Sequence, residues 1–154
     1  MLIITTRAPE QTKLWGERLG KYLEKGDIVC LFGGLGAGKT VFTQGVARGL
    51  GVADEYVNSP TFLMLREYRQ ARLPLFHFDL YRLESLNELY DLGYEEYFYG
   101  DGITVIEWAE KVEELIPPEY LRVEIEWIDS HSREINFIPY GNHYQQIVAQ
   151  LKRK

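Results

Sequence analysis

Eight residues, Gly33-Gly34-Leu35-Gly36-Ala37-Gly38-Lys39-Thr40, constrain this chain more than any other stretch of it. They fit the pattern G-x-x-x-x-G-K-[ST]. The apolar run from Ile28 to Phe32 precedes them, and a helical pattern follows to about Leu50, where Gly49 and Gly51 stop it. A buried strand, a glycine-rich turn and a helix in that order make an anion cradle. The glycines let the backbone curl so that successive N–H groups point inward at phosphate oxygens, and the helix N-terminus adds its positive dipole end. In a chain of 154 residues the fixed positions arise by chance on the order of once in two hundred sequences, and the strand and helix contexts lower that further. The turn is therefore read as a nucleoside triphosphate site. Gly33, Leu35, Gly36, Ala37, Gly38 and Val41 surround the phosphates, Lys39 reaches the β- and γ-phosphates, and the Thr40 hydroxyl ligates Mg²⁺. The guanine signatures N-K-x-D and T-K-x-D do not occur, so ATP is the expected nucleotide.

The rest of the chain alternates strand-like and helix-like stretches. Residues 2–6 read as a strand. Pro9 then opens a helix with Leu14, Trp15, Leu19 and Tyr22 at helical spacing, closed by Gly26. Residues 62–69 and 73–79 suit strands joined by a tight link at 70–72. Residues 85–92 look helical and end at Gly93, and 103–107 form another buried-looking strand. A helix is expected from there to Ile116, stopped by Pro117 and Pro118. Residues 120–127 and 134–139 alternate like a hairpin, and 142–151 close the chain as a helix. This order predicts an α/β fold: one domain over residues 1–154, a three-layer sandwich of the P-loop NTPase type with a mixed, largely parallel central sheet.

With 45% hydrophobic and 26% charged residues, the composition excludes global disorder, collagen-like repeats and a coiled coil. No apolar run approaches the roughly 20 residues of a membrane-spanning helix, and the N-terminus lacks the pattern of a secretory leader, so a cytoplasmic protein is expected. Cys30, inside the apolar strand, reads as a small buried hydrophobe. The net charge of -6 is uneven. Residues 79–114 hold 11 acids against Arg82 and Lys111, a local charge of -9. Phosphate backbones are repelled by such a surface, so DNA or free tRNA is a poor primary ligand and a basic protein surface a better one. Tyr90, Tyr94, Tyr97, Phe98 and Tyr99 lie among these acids. They are either anchors of a docking face or core residues beneath a solvated one.

A phosphate loop of this kind needs a carboxylate at the carboxyl end of a neighbouring strand, and two apolar runs end in one: 75–79 at Asp79 and 103–107 at Glu107. The second lies between a turn and a helix, as a parallel crossover does, so Glu107 is expected beside the metal and Asp79 farther out, positioning water. Ser59-Pro60-Thr61 follows the loop helix, where P-loop hydrolases keep a segment that senses the γ-phosphate, and Thr61 offers a hydroxyl or carbonyl there. His77, on a strand, reads more simply as a hydrogen-bonded structural histidine than as a base.

Taken together, Gly36-Ala37-Gly38-Lys39-Thr40, Ser59-Pro60-Thr61, His77-Phe78-Asp79-Leu80-Tyr81-Arg82 and Glu107-Trp108 resemble the bacterial TsaE family of small ATPases. The H-x-D-x-Y-R element is the specific part. The resemblance implies an ATPase needed for the threonylcarbamoyl modification of tRNA, working with the TsaD and TsaB proteins and touching tRNA through that complex. It implies Lys39 and Thr40 at phosphate and Mg²⁺, Glu107 as a magnesium-associated acid and Asp79 as the signature acid. Ser59, Thr61, His77, Arg82 and Trp108 fall in switch segments coupled to the partners, and Arg133 falls at the nucleotide. Gly34 departs from the pattern, standing where many members carry an acid, but that position contributes chiefly backbone.

Arginine fingers accelerate phosphoryl transfer by roughly 10³ to 10⁵. No arginine is obviously placed to act in cis, Arg82 being the nearest candidate, so slow turnover alone and faster turnover on the partner complex are expected. Two other readings are a small-metabolite kinase, with Arg66, Arg69 and Arg72 as lid residues, and a nucleotide-dependent scaffold.

Overall fold

The computed structural model describes residues 1–34, 36–52 and 64–153. In chain order the elements are β1 (Leu2–Thr6), α1 (Pro9–Tyr22), β2 (Ile28–Phe32), α2 (Lys39–Gly49), β3 (Leu65–Tyr68), β4 (Leu75–Asp79), α3 (Asn87–Leu92), α4 (Tyr94–Phe98), β5 (Ile103–Glu107), a 3₁₀ helix (Ala109–Leu115), β6 (Tyr120–Trp127), β7 (Arg133–Tyr140) and α5 (Asn142–Arg153). The strands form one sheet in the order β1-β7-β6-β2-β5-β4-β3. Neighbours β6, β2, β5 and β4 run parallel. At the flanks β3 pairs antiparallel with β4, β7 with β6, and β1 with β7. The sheet is mixed, as expected, with its parallel part confined to the four central strands.

Every residue of β2 is buried, as a strand covered on both faces must be. Val29 and Leu31 join a core with Leu19, Phe42, Val46, Phe137 and Ile147, beneath α1, α2 and α5. Ile28, Cys30 and Phe32 join a second core with Phe78, Leu89, Phe98 and Val112, beneath α3, α4 and the 3₁₀ helix. Cys30 is buried as expected, and its burial pushes the thiol pKa up, out of the reactive range.

Helix α2 is seated by glycines. A Cβ on Gly45 would lie 2.0 Å from the Lys13 carbonyl oxygen, and one on Gly16 would lie 2.3 Å from the Phe42 carbonyl oxygen, so α1 and α2 touch backbone to backbone. Gly16 and Gly20 on α1, and Gly45 and Gly49 on α2, are each spaced by four, which puts each pair on one helical face.

Three expectations need correction. Residues 109–115 form a 3₁₀ helix and not an α-helix, with non-helical dihedrals at Val112 (φ -136°, ψ 28°). Ala109, Val112 and Leu115 are the residues that pack inward, and their spacing of three fits three residues per turn. The helix expected over 85–92 begins at Asn87, whose N–H is taken by the Ser85 hydroxyl, and a second short helix, α4, follows Gly93 in a left-handed conformation (φ 72°). β4 begins at Leu75, two residues later than its apolar pattern. Of the residues expected in β3, 62 and 63 lie outside those described. No helix among the described residues is long and apolar enough to cross a membrane.

Candidate nucleotide site

The glycine-rich turn leaves the carboxyl end of β2 and enters α2 through Gly38, whose left-handed backbone (φ 106°) suits glycine alone. The parallel register sets Asp79 beside Glu107 at the carboxyl ends of β4 and β5. Alternation along these strands puts His77, Asp79 and Glu107 on the α2 side of the sheet, because Leu75, Ile103 and Val105 already lie in the core beneath α2.

Glu107 is 2% exposed and is the hub of the site. Its Oε1 accepts from the Thr40 hydroxyl at 3.2 Å, and its Oε2 lies 3.3 Å from the Thr43 hydroxyl and 2.6 Å from His77 Nε2. The Thr43 hydroxyl also reaches the Lys39 carbonyl at 3.0 Å. Asp79 is half-buried, and its Oδ1 accepts from the Tyr81 N–H at 3.1 Å. Thr40 and Glu107 supply two hard oxygens at a helix N-terminus, a donor set that fits Mg²⁺, which takes few protein ligands and keeps several waters. Among the described residues no cluster of three or more His, Cys, Asp or Glu offers a fuller metal site.

Lys39 folds back into the loop. Its Nζ donates to the carbonyls of Gly33 (2.5 Å) and Gly34 (2.8 Å) and lies 3.9 Å from the centre of the Trp108 ring. Burial lowers the Lys39 pKa, against the opposing pull of Glu107, Glu110 and Asp79. Trp108 reaches this position through a left-handed backbone (φ 62°), the only positive φ outside glycine among the described residues. A bulky residue there is strained, a cost of the kind retained at functional sites. Behind Trp108, Lys111 donates to the Tyr81 and Leu83 carbonyls, and the Tyr81 ring lies 5.0 Å from that of Trp108. The loops after β4 and β5 are thereby fastened together.

Arg133 occupies the opposite wall. It donates through Nε to the Ala37 carbonyl (2.8 Å) and through Nη2 to that of Gly36 (3.2 Å), and through Nη1 to those of Asp129 (2.7 Å) and Ser132 (2.9 Å). It therefore staples the glycine-rich turn to the β6–β7 hairpin. A shallow cleft of about 40 Å³ opens beside it, lined by Pro9, Thr12, Gly38, Val41, Ser130, His131 and Arg133.

Gly33, Gly36, Ala37, Gly38, Lys39, Thr40, Val41, His77, Asp79, Glu107, Trp108 and Arg133 thus surround one end of the central strands, while Leu35, Ser59 and Thr61 lie outside the described residues. Arg82 is exposed on the loop after β4. Two of the three arginines of the kinase reading have structural tasks: Arg69 pairs with Glu67, and Arg72 donates to the Gly20 and Leu23 carbonyls, whereas the buried Nε of Arg66 has no hydrogen-bond partner among the described residues. Thr43 was not anticipated, although its place one turn beyond Lys39 on α2 put it on the same face.

The family model described as "Threonylcarbamoyl adenosine biosynthesis protein TsaE" matches residues 6–135. The chain belongs to the TsaE family. Among its relatives, the Bacillus subtilis protein named "tRNA threonylcarbamoyladenosine biosynthesis protein TsaE" is 44% identical over 145 residues, covering 94% of this chain and 90% of the relative. A Treponema pallidum protein of the same name is 42% identical, covering 84% of this chain and 95% of the relative. The crystal structure of Bacillus subtilis YdiB superposes with a TM-score of 0.82 at 38% identity, covering 99% of this chain and 94% of that one. The TsaE match spans every site element described above, from the N-terminus of α1 to Arg133.

Proposed function

We propose that this protein is a single-domain ATPase that binds Mg²⁺·ATP in the turn from Gly33 to Val41 and serves tRNA threonylcarbamoyladenosine biosynthesis in the cytoplasm, acting with TsaB and TsaD proteins and meeting tRNA only through them. The observation that carries this reading is the Thr40–Glu107 pair, a hydroxyl and a carboxylate joined at 3.2 Å at the N-terminus of the helix that follows the glycine-rich turn. The family match supports the pathway.

In this reading the N–H groups of the turn and the dipole of α2 hold the phosphates. Lys39 leaves the Gly33 and Gly34 carbonyls and the Trp108 ring to reach the β- and γ-phosphates. Thr40 and Glu107 would hold magnesium, which would supply neutralising charge to the transferring phosphoryl group. Asp79, on the same side of the sheet, positions the attacking water, and Thr61 approaches from the segment after α2. Val41 and the cleft beside Arg133 accept the nucleoside. Arg133, spent on four carbonyls, positions the turn, so the finger that speeds hydrolysis comes from outside and turnover by the isolated protein is slow.

A partner has an acidic face to dock on. Glu95, Glu96, Tyr90 and Tyr99 are exposed, while Phe98 is buried and Tyr94 and Tyr97 pack partly against the core. The tyrosines therefore divide between anchor and core roles.

ATP turnover and tRNA modification assayed together, with and without TsaB and TsaD, test the proposal. Wild type should turn over ATP slowly alone and faster with the partners, and should sustain many rounds of modification. Lys39→Ala should do neither. Full modification without the protein, or with Lys39→Ala, would remove the ATPase role and favour a scaffold.

A further inference from the structure

His77 is fully buried in β4, and its two ring nitrogens have unequal surroundings. Nε2 lies 2.6 Å from Glu107 Oε2, whereas Nδ1 is buried with no hydrogen-bond partner among the described residues. A neutral imidazole carries one N–H and one bare nitrogen, and a buried N–H left without an acceptor costs a full desolvation penalty. The proton therefore belongs on Nε2, aimed at the carboxylate, and the bare Nδ1 takes the side that offers no hydrogen-bond partner among the described residues. The opposite tautomer would orphan a buried N–H and require a protonated Glu107. An imidazolium would orphan the same N–H.

The consequence falls on Glu107. Its Oε2 receives the His77 proton, with a share of the Thr43 hydroxyl, whose single proton is divided between Oε2 and the Lys39 carbonyl. Among the described residues its Oε1 has only the Thr40 hydroxyl. We propose that His77 is a positioning residue: by occupying Oε2 as a fixed donor it holds the Glu107 carboxylate in the one rotation that presents Oε1, beside Thr40, to the cation of a bound nucleotide, with Thr43 as a weaker second support. This rests on the Mg²⁺·ATP reading of the site and adds to it which oxygen serves the metal and what holds that oxygen in place. Hydrogen-bond partners of metal ligands commonly change metal affinity by roughly 10- to 100-fold when removed.

Two variants separate positioning from packing. His77→Phe keeps a flat ring and removes the donor. His77→Gln restores a donor at the place of Nε2. Affinity for a fluorescent ATP analogue is measured with and without Mg²⁺, giving the factor by which magnesium tightens binding, and melting temperatures check that each variant folds. His77→Phe should lower that factor about 10-fold or more while leaving metal-free affinity unchanged, His77→Gln should recover most of it, and Thr43→Val should lower it less than His77→Phe does. A purely structural role would instead lower melting temperature and metal-free affinity, with no recovery by glutamine. In wild-type protein, ¹⁵N spectra of the histidine rings should show the Nε2–H tautomer for His77.

A His77→Phe variant with an unchanged magnesium factor, or an Nδ1–H signal, would overturn the inference and leave the nucleotide site standing. Wild type whose nucleotide affinity ignores magnesium would overturn the site reading itself, and the inference with it.

Discussion

Two buried carboxylates sit at opposite ends of the central strands, and each is paired with a histidine. Glu107 closes β5 beside the glycine-rich turn, with His77 at 2.6 Å, while Asp27 immediately precedes β2, with His143 at 2.8 Å. The resemblance ends at their second oxygens. Asp27 Oδ2 accepts from the Glu24 N–H at 2.7 Å, so that carboxylate is satisfied within the fold, tying α5 to the start of β2 together with the Tyr144 hydroxyl on the Ile28 N–H. Glu107 keeps Oε1 for Thr40, at the N-terminus of the helix proposed to hold the phosphates. Both carboxylates are buried and both pairs share the same chemistry, although the His143 side chain is 35% exposed where that of His77 is fully buried. What distinguishes a site from a brace is the strand end at which the pair lies, the carboxyl end being where parallel sheets open to ligands.

Breaking each pair should give opposite results, and the larger belongs to Glu107. In Glu107→Gln the amide oxygen accepts from His77 and the amide nitrogen faces Thr40, so the fold persists. ATP turnover should nevertheless fall by about 100-fold or more in a steady-state assay, with a melting temperature close to wild type, because the charge that would serve the cation in the proposed site is lost.

Asp27→Asn should leave turnover unchanged and alter stability by about 1 kcal/mol, in a pH-dependent way. Burial raises the Asp27 pKa, despite the Glu24 N–H and His143. A raised carboxyl pKa means that the folded state binds the proton more tightly. Stability from this group is therefore complete below the ordinary carboxylate value near 4 and is lost as pH rises through the raised value. Relative to Asp27→Asn, wild type should gain stability as pH falls through that window, as read by denaturant unfolding at pH 4 and pH 7.

The legible and illegible parts of the molecule divide along the same line. The strand, turn and helix around Lys39 are local, so pattern alone placed them, and Asp79 and Glu107 were found as acids ending apolar runs. The pairing of His77 with Glu107 was hidden, because it depends on the register that sets β4 against β5, which no single run of residues reveals. His77 was expected to be structural, and it is buried as such, but its partner is the central acid of the site. The seating of α1 on α2 through Gly16, Gly20, Gly45 and Gly49 was in plain view as two four-residue spacings. The spacing alone does not announce a helix contact, because glycine in a helical stretch more often marks its end. The 3₁₀ helix after Trp108 escaped because residues 109–115 also carry enough helical spacing to pass for an ordinary helix, and only the packing of Ala109, Val112 and Leu115 selects three residues per turn.

In the proposed reading Lys39, Thr40 and Glu107 make a magnesium-dependent ATP site at the carboxyl ends of these strands. Calorimetric titration of ATP into wild type, Lys39→Ala, Glu107→Gln and Asp27→Asn, each with and without Mg²⁺, tests it most directly. Magnesium should tighten ATP binding in wild type and Asp27→Asn alike, should lose most of that effect in Glu107→Gln, and Lys39→Ala should bind weakly under both conditions. Equal ATP affinity in all four proteins, or no binding by wild type, would contradict the account.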